Sequence, residues 1–138
     1  MRVFLDANVL FSAAYRETGS VRAFFTLARA GACELVTSGY AVDEARRNIR
    51  AKHPQRSPDL EMLLKRVELC REPAPATVAW AVAQRLHSKD APILAAAIDA
   101  RCHVLVTGDR THFGALFGRR LRGTVVMLPV DAIGLLAG

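Results

Sequence analysis

The chain has 138 residues, of which 51% are hydrophobic, so one domain can bury a sizeable core without metals or disulfides to stabilise it. Three widely spaced cysteines, with no histidines at ligand spacing, argue against a disulfide framework or a zinc site. The formal net charge of +6 favours an anionic partner. No apolar run approaches a membrane span, and the N-terminal run contains an acid, so we expect a single cytoplasmic domain, 1–138, that has no membrane segment.

The first half of the chain alternates short apolar runs with helical patterns. Residues 2–5 predict a strand that stops at Asp6, and apolar residues at helical spacing predict a helix directly after it. Thr18, Gly19 and Ser20 supply a break and an N-cap, after which apolar residues at helical spacing predict a second helix that ends at Gly31. The remaining predicted elements of this half are a strand at 33–37, a helix at 40–50 capped by Ser38, and a helix at 59–69.

The second half continues the alternation. Residues 76–86 predict a helix, and Asp90 stands where the next helix begins. The run 102–107 is short, apolar and rich in β-branched residues, which indicates a buried strand that ends just before Asp109. The last predicted elements are a short helix near 113–117, a strand at 124–128 and a helix at 130–136. Short apolar strands separated by helices indicate an α/β sandwich with a mostly parallel sheet.

Four acids lie at or near junctions between these elements. They are Asp6, Asp90 and Asp109, each beside an apolar element, and Glu44, near the start of the helix after the second strand. Ligands collect beyond the carboxyl ends of strands in open parallel sheets, so these acids are candidates for one shared site. An alternative stays open for each residue taken singly: the three aspartates are explained as N-caps or turn residues, and the glutamate as a solvent-facing helix residue.

Four segments carry these acids: LDANVL at 5–10, YAVDEARRNI at 40–49, KDAPILAAAI at 89–98 and LVTGDRTHF at 105–113. In this order, and on these element types, they resemble the PIN-domain ribonucleases, particularly toxin-type members similar to VapC. The resemblance covers nearly the whole chain. It implies a PIN-like three-layer α/β/α sandwich whose mostly parallel central sheet has about four to five strands.

The resemblance also implies a metal-dependent activity. The positions that match the family's acidic cluster, which holds Mg²⁺ or Mn²⁺ and cleaves RNA, are Asp6, Glu44, Asp90 and Asp109, with Asn8 and Thr107 as flanking polar residues. Electrostatics agrees, because two carboxylates about 4 Å apart repel by roughly 4 kcal/mol at an effective dielectric near 20. A hard divalent cation relieves that repulsion and activates water. A cognate antitoxin and a homodimer are further expectations from the family.

Several nearby polar residues are set aside. Asp43 lies about 100° around the helix from Glu44, so both cannot point into one site. Asp99 lies about 13 Å along the helix from Asp90, which is expected to be too far from a shared ion. The histidines near the acids in sequence are interpreted as surface or helix-end residues; they are His87, His103 and His112.

Basic residues cluster after Glu44 and again after Asp109, where they are able to track a phosphate backbone. The candidate RNA contacts are Arg46, Arg47, Arg50 and Arg110. A solvated charged face explains the same residues equally well.

Two other functions stay open. A PIN-like domain that binds RNA or a protein without cleaving is possible, although the presence of all four acids counts against it. A phosphotransfer enzyme of the haloacid-dehalogenase type also places an aspartate after its first strand. That chemistry usually needs a second aspartate two residues later, where this chain has Asn8. Metal-dependent RNA cleavage is therefore the function that the sequence favours.

Overall fold

A computed structural model describes residues 1–16 and 18–138. Its sheet contains six strands: β1 (Arg2–Leu5), β2 (Glu34–Thr37), β3 (Glu68–Leu69), β4 (Val104–Val106), β5 (Arg120–Leu121) and β6 (Thr124–Met127). Their spatial order is β3-β2-β1-β4-β6-β5, and every neighbouring pair is parallel except β5 with β6. All four predicted strands are present, and the two additional strands are short segments at the sheet edges. The predicted α/β architecture with a mostly parallel sheet is confirmed.

Eight α-helices connect the strands in the described residues: α1 (Ala7–Tyr15), α2 (Ser20–Arg29), α3 (Gly39–Lys52), α4 (Ser57–Leu64), α5 (Pro75–Val82), α6 (Ala91–Asp99), α7 (Arg110–Phe113) and α8 (Pro129–Ala137). Ser38 caps α3 as predicted, because its hydroxyl oxygen accepts the Ala41 amide N–H. The N-cap of α2 is Gly19, within the predicted break, where the chain turns with a φ of 125°, which favours glycine. In the described part of the chain, no helix combines the length and apolar character needed to cross a membrane.

The order of the strands determines which face of the sheet each helix covers. The chain steps from β1 to β2 to β3 in one direction and then returns to the other side of β1 for β4. Because parallel crossovers are right-handed, α1 to α4 lie on one face and the pair α5 and α6 lies on the other. The packing agrees, since α1 contacts α3 and α4, whereas α5 contacts α6. The reversal between β1 and β4 is a topological switch point, beside which ligands bind in such sheets.

The helix predicted over 59–69 is shorter than expected. α4 ends at Leu64, and the end of the predicted helix instead forms β3, where Glu68 pairs with Val36 of β2. The Glu68 carboxylate also accepts two hydrogen bonds from the Arg2 guanidinium, at 3.1 and 2.8 Å. The prediction for this C-terminal end was wrong, because local apolar spacing carries no information about long-range strand pairing.

Arg101 is the left-handed residue of a Schellman motif that ends α6. Its φ is 57°, and the amide N–H of Cys102 donates to the Ala97 carbonyl at 2.9 Å. The left-handed conformation costs an L-residue roughly 1–2 kcal/mol, a cost that glycine avoids. We therefore expect Arg101→Gly to raise the free energy of unfolding by roughly 0.5–1 kcal/mol, as measured by urea denaturation. Arg101→Ala is the matched control for charge, and an equal gain in both variants would contradict the backbone explanation.

Candidate metal centre

The carboxyl ends of β1 and β4 lie side by side at the switch point. Leu5 pairs with Val106 in register, and the Asp6 amide N–H donates to the Val106 carbonyl at 3.0 Å. The next residues along the two strands are therefore neighbours, which brings Asp6 beside Thr107. Asp6 is also the N-cap of α1, where its carboxylate accepts the Ala7 amide N–H. Its side chain is thus held between a strand end and a helix start.

A buried polar network joins Asp6, Asn8 and Thr107. The Thr107 hydroxyl donates to Asp6 Oδ2 at 2.8 Å, and Asn8 Nδ2 donates to the same oxygen at 3.1 Å. Asn8 Oδ1 accepts the Gly108 amide N–H at 2.8 Å. Asp6 is only 4% exposed, and Thr107 is fully buried. The two flanking polar residues therefore orient the Asp6 carboxylate and tie it to the loop that follows β4.

Burial raises the pKa of Asp6 from 3.8 to about 6. The Thr107 hydroxyl and the Ala7 amide stabilise the ionised form and oppose this shift, whereas the carboxylates of Glu44 and Asp90 add to it. Such repulsion requires proximity, so Glu44 and Asp90 approach Asp6 from α3 and from the start of α6. Glu44 and Asp90 therefore both act electrostatically on Asp6.

Asp90 is buried, and one of its oxygens has no hydrogen-bond partner. The residue precedes α6, yet its side chain makes no capping hydrogen bond, and it is only 7% exposed. Its Oδ2 accepts no hydrogen bond from any residue that the structure describes. Burial raises the pKa of this carboxyl; His112 opposes the shift and Asp109 adds to it. Capping therefore does not explain Asp90, and a buried carboxylate oxygen without a hydrogen bond is costly unless a proton or a cation satisfies it.

Asp109 combines a capping role with a place beside Asp90. Its Oδ1 accepts the amide N–H groups of Thr111 and His112, at 3.1 and 3.0 Å, where α7 begins. Its Oδ2 lies 2.8 Å from Nδ1 of the His112 ring. The capping interpretation is correct for Asp109, but capping uses one carboxylate oxygen and leaves the other for the site.

His112 stands between the two acids. Its Nδ1 lies 2.8 Å from Asp109 Oδ2 and 3.1 Å from Asp90 Oδ2, and its ring stacks on that of His87 with centroids 5.4 Å apart. His112 is exposed and lies in the last turn of α7, as the sequence predicts, but that interpretation did not include these contacts. The available signal was the three-residue spacing from Asp109, which puts the two side chains on one side of a helical turn.

Asp90, Asp109 and His112 form a group that can hold a metal ion. One ligand atom from each lies within 4.8 Å of the others, among the side chains that the structure describes. Carboxylates this close repel each other, and the unpartnered Asp90 Oδ2 lies among them, so the residues present fit a divalent cation. Asp6 is connected to this group through Thr107, whose hydroxyl oxygen also accepts the Asp109 amide N–H at 3.1 Å.

Glu44 lies on the wall of an open groove next to this group. The groove has a volume of about 350 Å³ and runs between the starts of α1 and α3 and the loop after β4. Its polar lining side chains are those of Asn8, Ser12, Glu44 and Asp109. Glu44 is half-buried there, and its carboxylate contributes to the raised pKa of Asp6. The groove is thus acidic where it meets the candidate metal centre.

Asp43 and Asp99, which the sequence predicts to lie outside the site, take no part in this group. Asp43 is exposed on α3. Asp99, at the far end of α6 from Asp90, accepts the Ala74 amide N–H at 2.7 Å and the Thr77 hydroxyl at 2.8 Å. It therefore anchors the start of α5.

Tyr40 is a residue near the site that the sequence did not single out. Its hydroxyl donates to the Lys89 carbonyl at 2.7 Å, one residue before Asp90. Glu44 lies one turn further along α3, on the same side of that helix. The hydrogen bond ties the start of α3 to the segment that carries Asp90, and so fixes the position of Glu44 relative to Asp90. The four-residue spacing of Tyr40 and Glu44 points to this role only once the packing of α3 against α6 is known.

The basic residues near the site differ in whether their guanidinium groups form ion pairs within the protein. The Arg46 guanidinium donates to both carboxylate oxygens of Glu61, at 3.0 and 2.8 Å. Arg47, Arg50 and Arg110 are exposed, and Arg47 lies three residues after Glu44 on the same side of α3. Of the four predicted RNA contacts, Arg46 is therefore already occupied by an ion pair within the protein.

Comparison with known proteins shows which family has this architecture. The PIN domain family model matches residues 2–111. The structure of VapBC2 from Rickettsia felis bound to a DNA fragment from their promoter is similar at 18% identity and a TM-score of 0.72, over 93% of this chain and 98% of that chain. PAE2754 from Pyrobaculum aerophilum has 18% identity and a TM-score of 0.68, over 99% and 96%. FitAcB from Neisseria gonorrhoeae has 21% identity and a TM-score of 0.59, over 93% and 98%. These likenesses confirm the predicted fold, and no curated protein matches in sequence.

Proposed function

This chain belongs to the PIN domain family, and we propose that it is a metal-dependent ribonuclease, the toxin component of a toxin–antitoxin pair. The observation that carries the proposal is the convergence of Asp90 and Asp109 beside the buried Asp6, with one Asp90 oxygen lacking any hydrogen bond in the described structure. A divalent cation satisfies that oxygen and relieves the repulsion between the carboxylates. A module that only binds RNA has no need of such a costly arrangement.

The four acids have different proposed roles at the site. Asp90 and Asp109 would hold Mg²⁺ or Mn²⁺, with Asp6 and Glu44 completing the acidic set. When bound, such an ion orients a phosphodiester, activates a water molecule and neutralises charge on the leaving oxygen. The Asp6 carboxylate is fixed in advance by three hydrogen-bond donors, so little reorganisation is needed at the site. Glu44 lines the groove through which a phosphodiester would approach.

RNA would be held by the exposed cations around the groove. We propose Arg47, Arg50 and Arg110 as phosphate contacts, because their guanidinium groups are exposed while that of Arg46 is paired with Glu61. The net charge of +6 supports an anionic substrate, since an acidic site alone would repel one. Binding through such contacts weakens as the salt concentration rises.

We also propose that a small antitoxin protein covers the acidic groove and that the chain forms a homodimer. The support is the fold shared with VapBC2 and FitAcB, the first of which is bound to a promoter DNA fragment in its structure. An adjacent short reading frame that encodes a DNA-binding protein would be the natural candidate. Co-expression should then yield a complex that inhibits cleavage, and light scattering should give twice the mass of one chain.

We expect the purified chain to cleave RNA in the presence of Mg²⁺ or Mn²⁺, to stop when EDTA is added, and to resume when the cation is restored in excess. The reason is that the clustered carboxylates cannot engage a phosphodiester without a cation between them. Cleavage of a set of varied end-labelled RNAs, resolved on gels, measures this.

Two outcomes would contradict this proposal in different ways. Cleavage that survives EDTA would remove the metal from the mechanism. A protein that binds the cation and RNA but cleaves none of the varied RNAs would instead support the binding module as its function.

A further inference from the structure

The ring nitrogen of His112 occupies a position that suits a metal ligand. Its Nδ1 lies 2.8 Å from Asp109 Oδ2 and 3.1 Å from Asp90 Oδ2. Around a six-coordinate ion with ligands at about 2.1 Å, adjacent ligand atoms lie about 3.0 Å apart. The nitrogen therefore lies at the distance of a neighbouring ligand from each of the two carboxylate oxygens. All three atoms lie within 4.8 Å of one another, which is compatible with one shared ion.

Hydrogen bonding alone does not account for this arrangement. Nδ1 carries at most one proton, so a single N–H is available to two carboxylates; it makes one short hydrogen bond or shares a weaker one between both. The shorter distance is to Asp109, and Asp90 Oδ2 is left buried without a hydrogen bond from the described residues. A cation that contacts all three atoms would satisfy that oxygen more fully than one N–H shared with Asp109 does.

The imidazole is also held in place from several sides. Asp109 Oδ1 accepts the backbone N–H of His112 while Asp109 Oδ2 contacts its ring, so one carboxylate sets both the backbone and the side chain. The ring of His87 stacks on it with an interplanar angle of 29°. His87 is itself tied to the loop before α6, because its Nδ1 accepts the Lys89 amide N–H at 3.0 Å. Ligands that are held in this way bind a metal with little reorganisation.

We infer that His112 Nδ1 is a direct ligand of the divalent cation, together with Asp90 and Asp109, and that it makes the site prefer Mn²⁺ to Mg²⁺. The chemical reason is that Mg²⁺ takes hard oxygen ligands, whereas an imidazole nitrogen suits first-row transition metals better. The inference rests on the metal site of the proposed function, but its test needs no RNA.

The test is a pair of measurements on metal-free protein. Titration calorimetry with MnCl₂ and with MgCl₂ is compared between the wild type, His112→Ala and the remote control His53→Ala. We expect His112→Ala to raise the Kd for Mn²⁺ by at least about tenfold and the Kd for Mg²⁺ by less than about threefold. In pulsed electron paramagnetic resonance, bound Mn²⁺ should show hyperfine coupling to a ring nitrogen in the wild type and in His53→Ala, but not in His112→Ala.

Three results would overturn the inference. If His112→Ala binds both cations more tightly, the imidazole is a competing group that the ion displaces. If Mn²⁺ binds to the wild type without nitrogen coupling, the nitrogen is not a ligand. If neither cation binds to the wild type, the metal site itself fails and the proposed function fails with it. Absent RNA cleavage with intact Mn²⁺ binding and nitrogen coupling would count against the ribonuclease activity alone, so the two failures are distinguishable.

Discussion

Asp90→Asn is expected to reduce RNA cleavage by more than about 100-fold while the free energy of unfolding stays equal to or above the wild-type value. The loss follows from the direct role proposed for Asp90, because even groups one shell beyond a metal's ligands contribute about 10- to 100-fold. The stability follows from the buried carboxylate, whose Oδ2 lacks a hydrogen bond in the described structure and whose pKa is raised chiefly by burial. A neutral amide removes that cost of burial. Rates on end-labelled RNA and urea denaturation in EDTA measure the two quantities.

The matched control lies at the other end of the same helix. Asp99→Asn also converts an aspartate of the α6 region to its amide, but Asp99 holds the Ala74 amide and the Thr77 hydroxyl instead of facing the site. We expect this variant to lose about 1 kcal/mol of stability and to keep its cleavage rate. If Asp90→Asn unfolded more easily and kept its specific activity, Asp90 would be a structural residue and the proposed site would be wrong.

The general position of the site was predictable from the sequence because it depends on strand ends. The apolar runs at 2–5 and 102–107 each stop at a polar segment, and in a parallel sheet such ends share one edge. Once β1 and β4 are neighbours, Asp6 and Thr107 must meet, as their hydrogen bond shows. The strand alternation therefore predicted both the sheet and the edge where the acids collect.

The contacts made by His112 and Tyr40 were not predictable in the same way. His112 meets Asp90 across a separation of 22 residues, and Tyr40 meets Lys89 across 49, so both contacts depend on how α6 packs against its neighbours. Likewise, the occupation of Arg46 by Glu61 depends on where α4 lies against α3. A charge pattern along one helix reveals candidate residues, but only the packing shows which of them are already paired.

The capping and functional interpretations, which the sequence leaves as alternatives, turn out to be compatible for two of the acids. Asp6 and Asp109 each use one carboxylate oxygen to hold backbone N–H groups at a helix start, and each presents the other to a polar partner. Capping therefore positions these side chains. Asp90 is the exception, since it makes no capping bond, and for this reason it is the most informative of the acids to replace.

Asp6 should make the metal-free protein less stable as the pH rises. Its pKa is raised from 3.8 to about 6 in the folded chain, mainly by burial. Below pH 3.8 the carboxyl is protonated in both states; between these values the unfolded chain gives up its proton first, so a rising pH favours unfolding. Two pH units at about 1.4 kcal/mol each lower the free energy of unfolding by up to about 3 kcal/mol, and the loss is complete above pH 6.

Asp6→Asn isolates this contribution, because an amide does not titrate. The substitution also places an NH₂ group against the Nδ2 donor of Asn8, which lowers the free energy of unfolding by the same amount at every pH. This shifts the curve of unfolding free energy against pH without changing its slope. We expect the difference in unfolding free energy, variant minus wild type, to rise by up to about 3 kcal/mol between pH 3.5 and pH 7.5 in EDTA. Asp43→Asn, at an exposed position on α3, controls for the change in net charge. Parallel curves for Asp6→Asn and the wild type would mean that burial does not destabilise the Asp6 carboxylate.

The proposed cation should reverse the loss of wild-type stability, since it would bind the ionised acids of the folded chain and not the unfolded chain. At 100 times its Kd, Mn²⁺ is expected to stabilise the wild type at pH 7.5 by about 2.7 kcal/mol. Asp6→Asn should gain less, because it lacks one carboxylate of the set. At this concentration the cation would offset most of the roughly 3 kcal/mol by which ionised Asp6 destabilises the empty site, and a higher concentration would offset more. The acids would then be retained at a cost in stability that metal binding offsets.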